Sequence, residues 1–372
     1  MDPNPELDTE IKPNIPQNSD HRDPIFPRRY VLPVVGLIVL LAAALTFGSV
    51  LEKKQPQKIY TIGVMLYIPQ LHDNVKKGFF QGMEKMGHKD GESVRYIVTP
   101  YGETPEKMQG IAQGLVDQNV DLIVAVTNVA ATGAKQATEA SGRTNLPIVF
   151  SHANTPDATG LIKSFQSSGN NLTGVAVDFV EVTEKKLEFL KQINPNITRI
   201  GVFDAAFTDP ASKFSLDALQ KASPKFGIEI VSYKILNNVG PEATAEIAGI
   251  AGAIKSGEID AFFQLPGPVI SAPSNVKAVI DMAKRLKIPA VYHADPQVEQ
   301  GGLFTYSHDL IAMGEQTAVF ADKILRGGQR PTDIPVEFPN KNSLVINAKT
   351  AKEIGLTIPE SLLLIANRII QD

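Results

Sequence analysis

The chain has 372 residues, carries a formal net charge of −4 at pH 7 and contains no cysteine. Because it has no sustained basic stripe to neutralise phosphates, its composition argues against a nucleic-acid partner. The missing cysteines exclude disulfides, thiolate zinc sites, cysteine nucleophiles and the acylated cysteine of a bacterial lipoprotein.

The segment Val31–Leu51 contains 21 residues and no charged side chain. As a helix rising ~1.5 Å per residue it would span about 30 Å, the thickness of a bilayer's hydrocarbon core. We predict a transmembrane anchor here, and a disordered tail over residues 1–30, which are rich in Pro, Asp and Asn. Ala42 and Ala44 also match an A-x-A cleavage pattern, so a cleaved signal segment is the alternative. Three arginines precede the segment and three lysines follow it closely, so charge does not orient it.

From residue 58 onward the sequence alternates between strand and helix patterns. Runs of β-branched and aromatic residues predict strands at Ile59–Leu66, Ser93–Thr99, Asp121–Thr127 and Pro147–Ser151. Apolar residues at helical spacing predict helices at about Gln70–Met86, Pro105–Gln118 and Ala130–Ala140. This alternation is typical of a doubly wound open sheet.

The same rhythm starts again after a short predicted strand at Asn170–Ala176. Further strands are predicted at Arg199–Asp204, Glu229–Lys234, Asp260–Gln264 and Ala290–His293. Helices are predicted at Val182–Ile193, Ala211–Phe226, Ala243–Lys255 and Ser274–Leu286, with a long one at about Leu310–Arg326. The tail contains short strands near Val336–Glu337 and Ser343–Ile346 and a helix over Ala348–Ile354.

We therefore predict an α/β fold of two similar doubly wound parallel-sheet lobes joined by a hinge and preceded by one transmembrane helix. The first lobe comprises 58–176 with 308–330, the second comprises 177–307, and 331–372 is a C-terminal segment packed on the lobes. The hinge strands lie near Val175–Phe179 and Gly302–Ser307. Open α/β sheets bind ligands beyond the carboxyl ends of their strands, so two facing sheets would share one cleft.

The usual sequence motifs of an enzyme are missing. No G-x-G-x-x-G follows a strand, and neither a Walker A loop nor a G-x-S-x-G motif is present. The six histidines form no H-x-x-x-H pair. Asp204 and Asp209 could do acid–base chemistry, but helix capping around Pro210 is the more frequent role of such residues. We predict a binding protein with no catalytic residue, no metal and no cofactor.

Small and polar residues follow the strands of the predicted first lobe at their carboxyl ends. Tyr67 follows the first strand and could stack on a ligand or cover the end of the sheet. Thr127, Asn128 and Ala130 open a helix, where hydroxyl, amide and backbone N–H groups could bind a ligand carboxylate or simply cap the helix. Ser151 and Asn154 follow the next strand in the same topological position.

The second lobe carries candidate ligand-binding residues in equivalent places. They are Asp204, Phe207, Gly267 and His293. Asp309 directly precedes the long helix, where its carboxylate could bind a ligand ammonium group or cap the helix.

Several stretches of the soluble body carry a resemblance to a known family. They read IGVMLYIPQ, LPIVFSHANTP, NNLTGVAVDF, KKLEFLKQINPNITRIGVFD and DIPVEFPNKNSLVINAKTAKEIGLTIPESLL. Residues 58–370 resemble the substrate-binding proteins of ABC transporters in the tryptophan-binding-protein-like family, most specifically in the pattern VIN-x-KTAK-x-x-GLTIP-x-SLL. The resemblance implies a monomeric type I periplasmic-binding fold outside the cytoplasm. Such a protein closes on a small solute and presents it to a membrane permease driven by a cytoplasmic ATPase.

Two loops depart from the pattern of that family. The loop after Leu265 reads Pro266-Gly267-Pro268 where the family commonly has Asp-Asn. The loop after Phe203 reads Asp204-Ala205-Ala206-Phe207 where Asn-Pro is common. Both changes remove polar groups that could bind an amino acid, so the resemblance leaves the ligand open, with an aromatic or branched amino acid as a candidate. The alternative function is a membrane-anchored sensory module that signals to a partner receptor.

Overall fold

The first lobe is built on a five-stranded parallel sheet. The computed structural model describes residues 58–67, 71–102, 104–205, 210–237, 240–267 and 269–371. The strands of this lobe are β1 (Tyr60–Met65), β2 (Val94–Val98), β3 (Leu122–Val126), β4 (Ile148–Asn154) and β5 (Leu172–Val177). Their order is β2-β1-β3-β4-β5, and every neighbouring pair is parallel. The helices between them are α1 (Leu71–Lys85), α2 (Pro105–Asp117) and α3 (Asn128–Ala140).

The second lobe is built on a seven-stranded sheet. Its helices are α4 (Phe179–Ile193), α5 (Pro210–Ala222), α6 (Gly240–Ala253), α7 (Pro273–Leu286) and α8 (Asp295–Glu299). Its first five strands are β6 (Arg199–Asp204), β7 (Glu229–Lys234), β8 (Ala261–Phe263), β9 (Ala290–Tyr292) and β10 (Phe304–His308). The chain then returns to the first lobe as α9 (Leu310–Leu325) and ends with β11 (Asn342–Asn347), α10 (Ala348–Glu353), α11 (Glu360–Ile365) and β12 (Arg368–Ile370). The sheet order is β12-β11-β10-β9-β8-β6-β7.

Each lobe has its own apolar core, and α9 closes one face of the first. Phe320, Ala321 and Met313 of α9 are buried with Ile62 and Val64 of β1. The helix also packs closely on α1, because both helices have glycine at the contact. A Cβ on Gly78 would lie 2.0 Å from the carbonyl oxygen of Ile311, and one on Gly314 would lie 2.1 Å from that of Val75.

The predicted all-parallel second sheet is wrong in one place. β11 pairs with β10 in the antiparallel direction, whereas β9–β10 and β11–β12 are parallel. The chain leaves β10 toward the first lobe, forms α9 there and returns from the same lobe into β11, so the two strands run in opposite directions. The sequence predicted a short strand near Val336–Glu337. In the structure, Glu337 forms a single isolated β-bridge with Val175 of β5.

The chain passes between the lobes three times. Asp178 connects β5 to α4, Asp309 connects β10 to α9, and residues 338–341 connect Glu337 to β11. The first passage starts α4 at Phe179 because the side chain of Asp178 accepts a hydrogen bond from the N–H of Val180. The sequence predicted α4 only from Val182 because the capping role of Asp178 was not recognised.

No helix within the described ranges is long and apolar enough to cross a membrane. The predicted tail over residues 1–30 and the predicted anchor Val31–Leu51 both lie outside those ranges.

Candidate ligand-binding site

Strained backbone marks the edge where β3 and β4 of the first lobe end. Thr127 has a φ of 91°, His152 has 56° and Thr155 has 39°. Side chains other than glycine rarely adopt positive φ, and such residues cluster at ligand-binding sites. At His152 the strain coincides with a register shift between β4 and β5, which turns this stretch away from regular pairing.

Asn128 and Asn154 form a clip at this edge. The side chain of Asn128 accepts a hydrogen bond from the N–H of Asn154 at 2.7 Å and donates to its carbonyl oxygen at 2.8 Å. Thr127 caps α3 by accepting from the N–H of the buried Ala130 at 3.5 Å. The clip fixes the position of Asn154, whose Oδ1 is buried without a hydrogen-bond partner among the described residues.

Two other predicted residues of the first lobe have structural roles. Ser151 is fully buried, and its Oγ accepts a hydrogen bond from Thr317 of α9 at 2.9 Å. This contact joins β4 to the covering helix and directs the hydroxyl away from the cleft. Tyr67 is half-buried and packs against the apolar core of the first lobe.

The acidic candidates are engaged within the protein. Asp204 is buried, and its Oδ2 lies 2.6 Å from the ammonium of Lys234 on β7. Asp309 accepts from the N–H groups of Ile311 and Ala312, and it pairs with Lys341 at 2.8 Å. These contacts favour the capping role of Asp309 over the binding of a ligand ammonium group.

The remaining two candidates lie in loops of the second lobe. Gly267 is half-buried after β8, with a φ of 141° that other residues rarely adopt. Phe207 lies outside the described residues.

Buried polar atoms without partners gather at the carboxyl ends of strands in both lobes. Besides Asn154 Oδ1, they are Gln264 Oε1 directly after β8 and His308 Nε2 at the end of β10, and a fourth unpaired atom, Ser271 Oγ, lies in the segment between β8 and α7. Gln264 donates through its Nε2 to the carbonyl of Ile270 at 2.7 Å, which leaves the oxygen unpaired. Leaving such an atom unpaired costs about 1–3 kcal/mol, so unpaired atoms at the strand ends make this edge a candidate place for a polar ligand.

A group of basic side chains surrounds these atoms and was not predicted as a unit. This basic cluster comprises His72 and His152 of the first lobe and Lys186, His293 and His308 of the second lobe. The rings of His72 and His152 lie 6.4 Å apart between centroids, and that of Phe179 lies 6.2 Å from His152.

Burial depresses the pKa values of the basic cluster. It lowers the pKa of His72 to about 4, that of Lys186 to about 7 and that of His293 to about 3. Burial also lowers the pKa of His152 well below its usual range, and the neighbouring histidines lower it further. Burial lowers the pKa of His308, although its Nδ1 contact with Asn342 Oδ1 at 2.7 Å opposes this. Imidazoles with such pKa values are neutral at pH 7.

A cavity of about 180 Å³ lies between the lobes beside the first passage. Asn154 and Thr155 line it from the first lobe, Asp178 and Phe179 from the passage, and Phe214 from α5 of the second lobe. The cavity therefore gives access to the cleft next to the Asn128–Asn154 clip. Within the described ranges, no group of three or more His, Asp or Glu side chains is arranged to hold a metal ion.

One residue of the basic cluster, Lys186, could have been recognised from the sequence. Lys186 is buried on the same face of α4 as Val182 and Leu190, four residues before and after it. A lysine in the apolar stripe of a helix is rarely left buried without a reason. The histidines have no such signal, because only the fold brings them together.

The family model for ABC transporter substrate binding proteins matches residues 61–370. The chain belongs to this family. A curated relative of this substrate-binding protein, the tyrosine-binding protein of Clostridioides difficile, is 27% identical over 87% of this chain and 90% of the relative.

Two solved structures are similar to this substrate-binding protein over 84% of its chain. An ABC domain from Streptococcus pneumoniae in complex with L-Trp is 26% identical, with a TM-score of 0.70 and its full length covered. A ligand-free, open substrate-binding protein with adhesive properties from Clostridium difficile is 25% identical, with a TM-score of 0.68 and its full length covered. The two-lobe fold described above is therefore a periplasmic-binding fold.

Proposed function

We propose that this substrate-binding protein is the extracytoplasmic component of an ABC importer and captures an amino acid between its lobes. The observation that carries the proposal is that Asn154 Oδ1, Gln264 Oε1 and His308 Nε2 are buried at the carboxyl ends of strands of both lobes and have no hydrogen-bond partner among the described residues. The tyrosine-binding relative and the L-Trp complex support the ligand class. The lack of enzyme motifs in the sequence supports a role without catalysis.

The first lobe offers complementary groups for the two charges of an amino acid. α3 begins at the strained Thr127, and the N–H groups of its first turn have no partners within the helix. Such a helix N-terminus favours a carboxylate. Asn154 Oδ1 is an acceptor without a donor, which suits the ammonium group. The predicted residues Thr127, Asn128, Ala130 and Asn154 thus form the first-lobe half of the proposed site, and Tyr67 covers the neighbouring strand end.

Closure of the cleft is proposed to occur about the three passages. The ion pair between Asp309 and Lys341 joins the second passage to the third, and the N–H of Asp309 also donates to the carbonyl of Lys341 at 3.0 Å. Passages tied to each other in this way would move together, which is typical of a hinge. Opening would let the solute reach the buried polar atoms.

Outside the binding body, the proposal includes a membrane and a transporter. The uncharged segment Val31–Leu51 would tether the protein in place of a lipid, and the permease and its cytoplasmic ATPase would receive the solute. The protein is proposed to act as a monomer. Membrane fractionation of expressing cells, with and without deletion of Val31–Leu51, tests the tether, since loss of the segment should release the protein.

A thermal-shift screen against amino acids, purines and other small solutes tests the proposed function. A solute at about 100 times its Kd should stabilise the native state by ~2.7 kcal/mol. Asn154→Ala should reduce the stabilisation at the same solute concentration to about half, or ~1.4 kcal/mol, whereas Asn196→Ala on an exposed loop should leave it unchanged. A folded protein that no solute in a broad panel stabilises would contradict the proposal.

A further inference from the structure

Lys186 is an unusual buried charge close to His293 and His308 at the strand ends of the second lobe. Its residue is 5% exposed, and it lies on the apolar face of α4 over the aromatic ring of Phe263, with Nζ 5.5 Å from the ring centroid. Among the described residues, neither a carboxylate nor a hydrogen-bond acceptor contacts its ammonium group. Buried cations are normally paired with an anion, because the free-energy cost of removing a charge from water is large and packing alone does not offset it.

The groups that face Lys186 are basic side chains and supply no counter-ion. Lys186 lies close enough to His293, at the end of β9, and to His308, at the end of β10, to lower the pKa of both. His152 of the first lobe is influenced by both of these histidines. The groups that interact with Lys186 are therefore basic, whereas His72 and His308 also interact with the carboxylates of Asp73 and Asp178.

The nearby carboxylates are committed elsewhere. Asp178 begins the same helix as Lys186, but it accepts a hydrogen bond from Val180 at 2.7 Å and acts on the ring of His308. Asp309 caps α9 and pairs with Lys341. Within the part of the chain that the structure describes, Lys186 is therefore a buried cation without a carboxylate to stabilise it.

Side-chain direction brings the ammonium of Lys186 toward the cleft. Side chains of a helix lean toward its N-terminus, and α4 begins at the passage that lines the cavity between the lobes. The unpaired Nε2 of His308 lies at the same strand ends. A ligand atom placed there could meet both groups.

We propose that the solute presents an anionic group, such as a carboxylate, to the second lobe, with Lys186 as its counter-ion and His308 as a hydrogen-bonding neighbour. The inference rests on the proposed function and narrows it, because an amino acid bound through its own carboxylate and ammonium in the first lobe would carry this group on its side chain. The predicted ligand class is an acidic amino acid or a similar dicarboxylate.

Proton uptake should accompany the binding of such a solute. An anion beside Lys186 favours the charged ammonium and raises its pKa, so a neutral Lys186 gains a proton when the solute binds. Binding above neutral pH should therefore take up as much as about one proton, and the affinity should fall as the pH rises.

Matched pairs of solutes test the inference by calorimetric titration of the full chain. The pairs are L-glutamate with L-glutamine, L-aspartate with L-asparagine, and 4-carboxy-L-phenylalanine with L-tyrosine. In whichever pair binds, the acid should have an affinity at least about 30-fold higher than its neutral counterpart, which is the usual effect of one fully desolvated charge pair. Titrations in two buffers of different ionisation enthalpy should show proton uptake by the acid.

Lys186→Met provides the second arm, with Lys185→Met as its control. Lys185 is the next residue of α4 and pairs at the surface with Glu188 at 2.9 Å. Lys186→Met should remove the preference for the acid, and Lys185→Met should retain it. Circular dichroism would confirm that both variants fold.

The outcomes separate this inference from the proposed function. Two results would refute an anionic group on the solute and leave solute capture intact. One is equal affinity for the acid and its neutral counterpart; the other is tight binding of a neutral solute whose affinity Lys186→Met does not change. Binding of no solute by the folded wild type would overturn both.

Discussion

Replacing Lys186 by methionine should stabilise the ligand-free protein. Lowering the pKa of Lys186 from 10.5 to about 7 corresponds to a cost of roughly 5 kcal/mol to the folded state below pH 7, as an upper limit. Replacing a buried ionic group by a hydrophobic residue of similar volume often raises the unfolding free energy by about 1–4 kcal/mol. We expect Lys186→Met to raise it by about that amount at pH 6.

The gain should depend on pH with a definite sign. The folded pKa of Lys186 lies below the unfolded value, so between pH 7 and 10.5 the unfolded chain binds more protons and stability rises with pH. The difference in unfolding free energy between Lys186→Met and the wild type should therefore shrink from pH 6 to pH 9. Urea denaturation at pH 6, 7, 8 and 9 measures it. A variant less stable than the wild type at pH 6, or a difference that does not change with pH, would refute the reasoning.

Three further predictions concern acid stability, packing and binding. His72 and His293 have folded pKa values of about 4 and about 3, below the ordinary value of 6.5. The stability should therefore fall as the pH drops below 6.5, by up to about 4 kcal/mol for the two groups together by pH 5. The double variant His72→Asn with His293→Asn should show a smaller fall in urea denaturation between pH 6.5 and 5. Gly314→Ala should lower the unfolding free energy by about 1–3 kcal/mol or more, measured by thermal unfolding, because the new Cβ would meet the carbonyl oxygen of Val75. Gly110→Ala is the control and should not destabilise the protein, because a Cβ there would lie in open space. Asn154→Ala should weaken solute binding about 10-fold or more by calorimetry with little change in stability, and unchanged affinity would remove Asn154 from the site.

The sequence predicted the first lobe well because its strands are short apolar runs separated by amphipathic helices. Leu122–Val126, buried at every position, is typical of a central parallel strand. The direction of β11 was not predictable in this way. A strand's apolar pattern is the same whether its neighbour runs parallel or antiparallel, and here the third passage decides the direction.

The candidate site was predicted from strand ends, which explains which residues of the proposed site the sequence could mark and which it could not. Thr127, Asn128 and Asn154 sit where a strand turns into a helix or loop, so position alone marked them. Ser151 occupies an equivalent place, but its partner Thr317 lies 166 residues away and only the fold reveals it. The basic cluster likewise joins residues from distant strands and helices.

The most direct test of solute capture between the lobes is a distance measurement across the cleft. Because the chain has no cysteine, single cysteines at Asp157 of the first lobe and Gln220 of α5, both exposed and neither lining the cavity, can carry spin labels without background. A saturating concentration of the solute with the largest thermal shift should shorten and narrow the distance distribution, and Asn154→Ala should weaken this response. Identical distributions with and without the bound solute would contradict capture by closure of the two lobes.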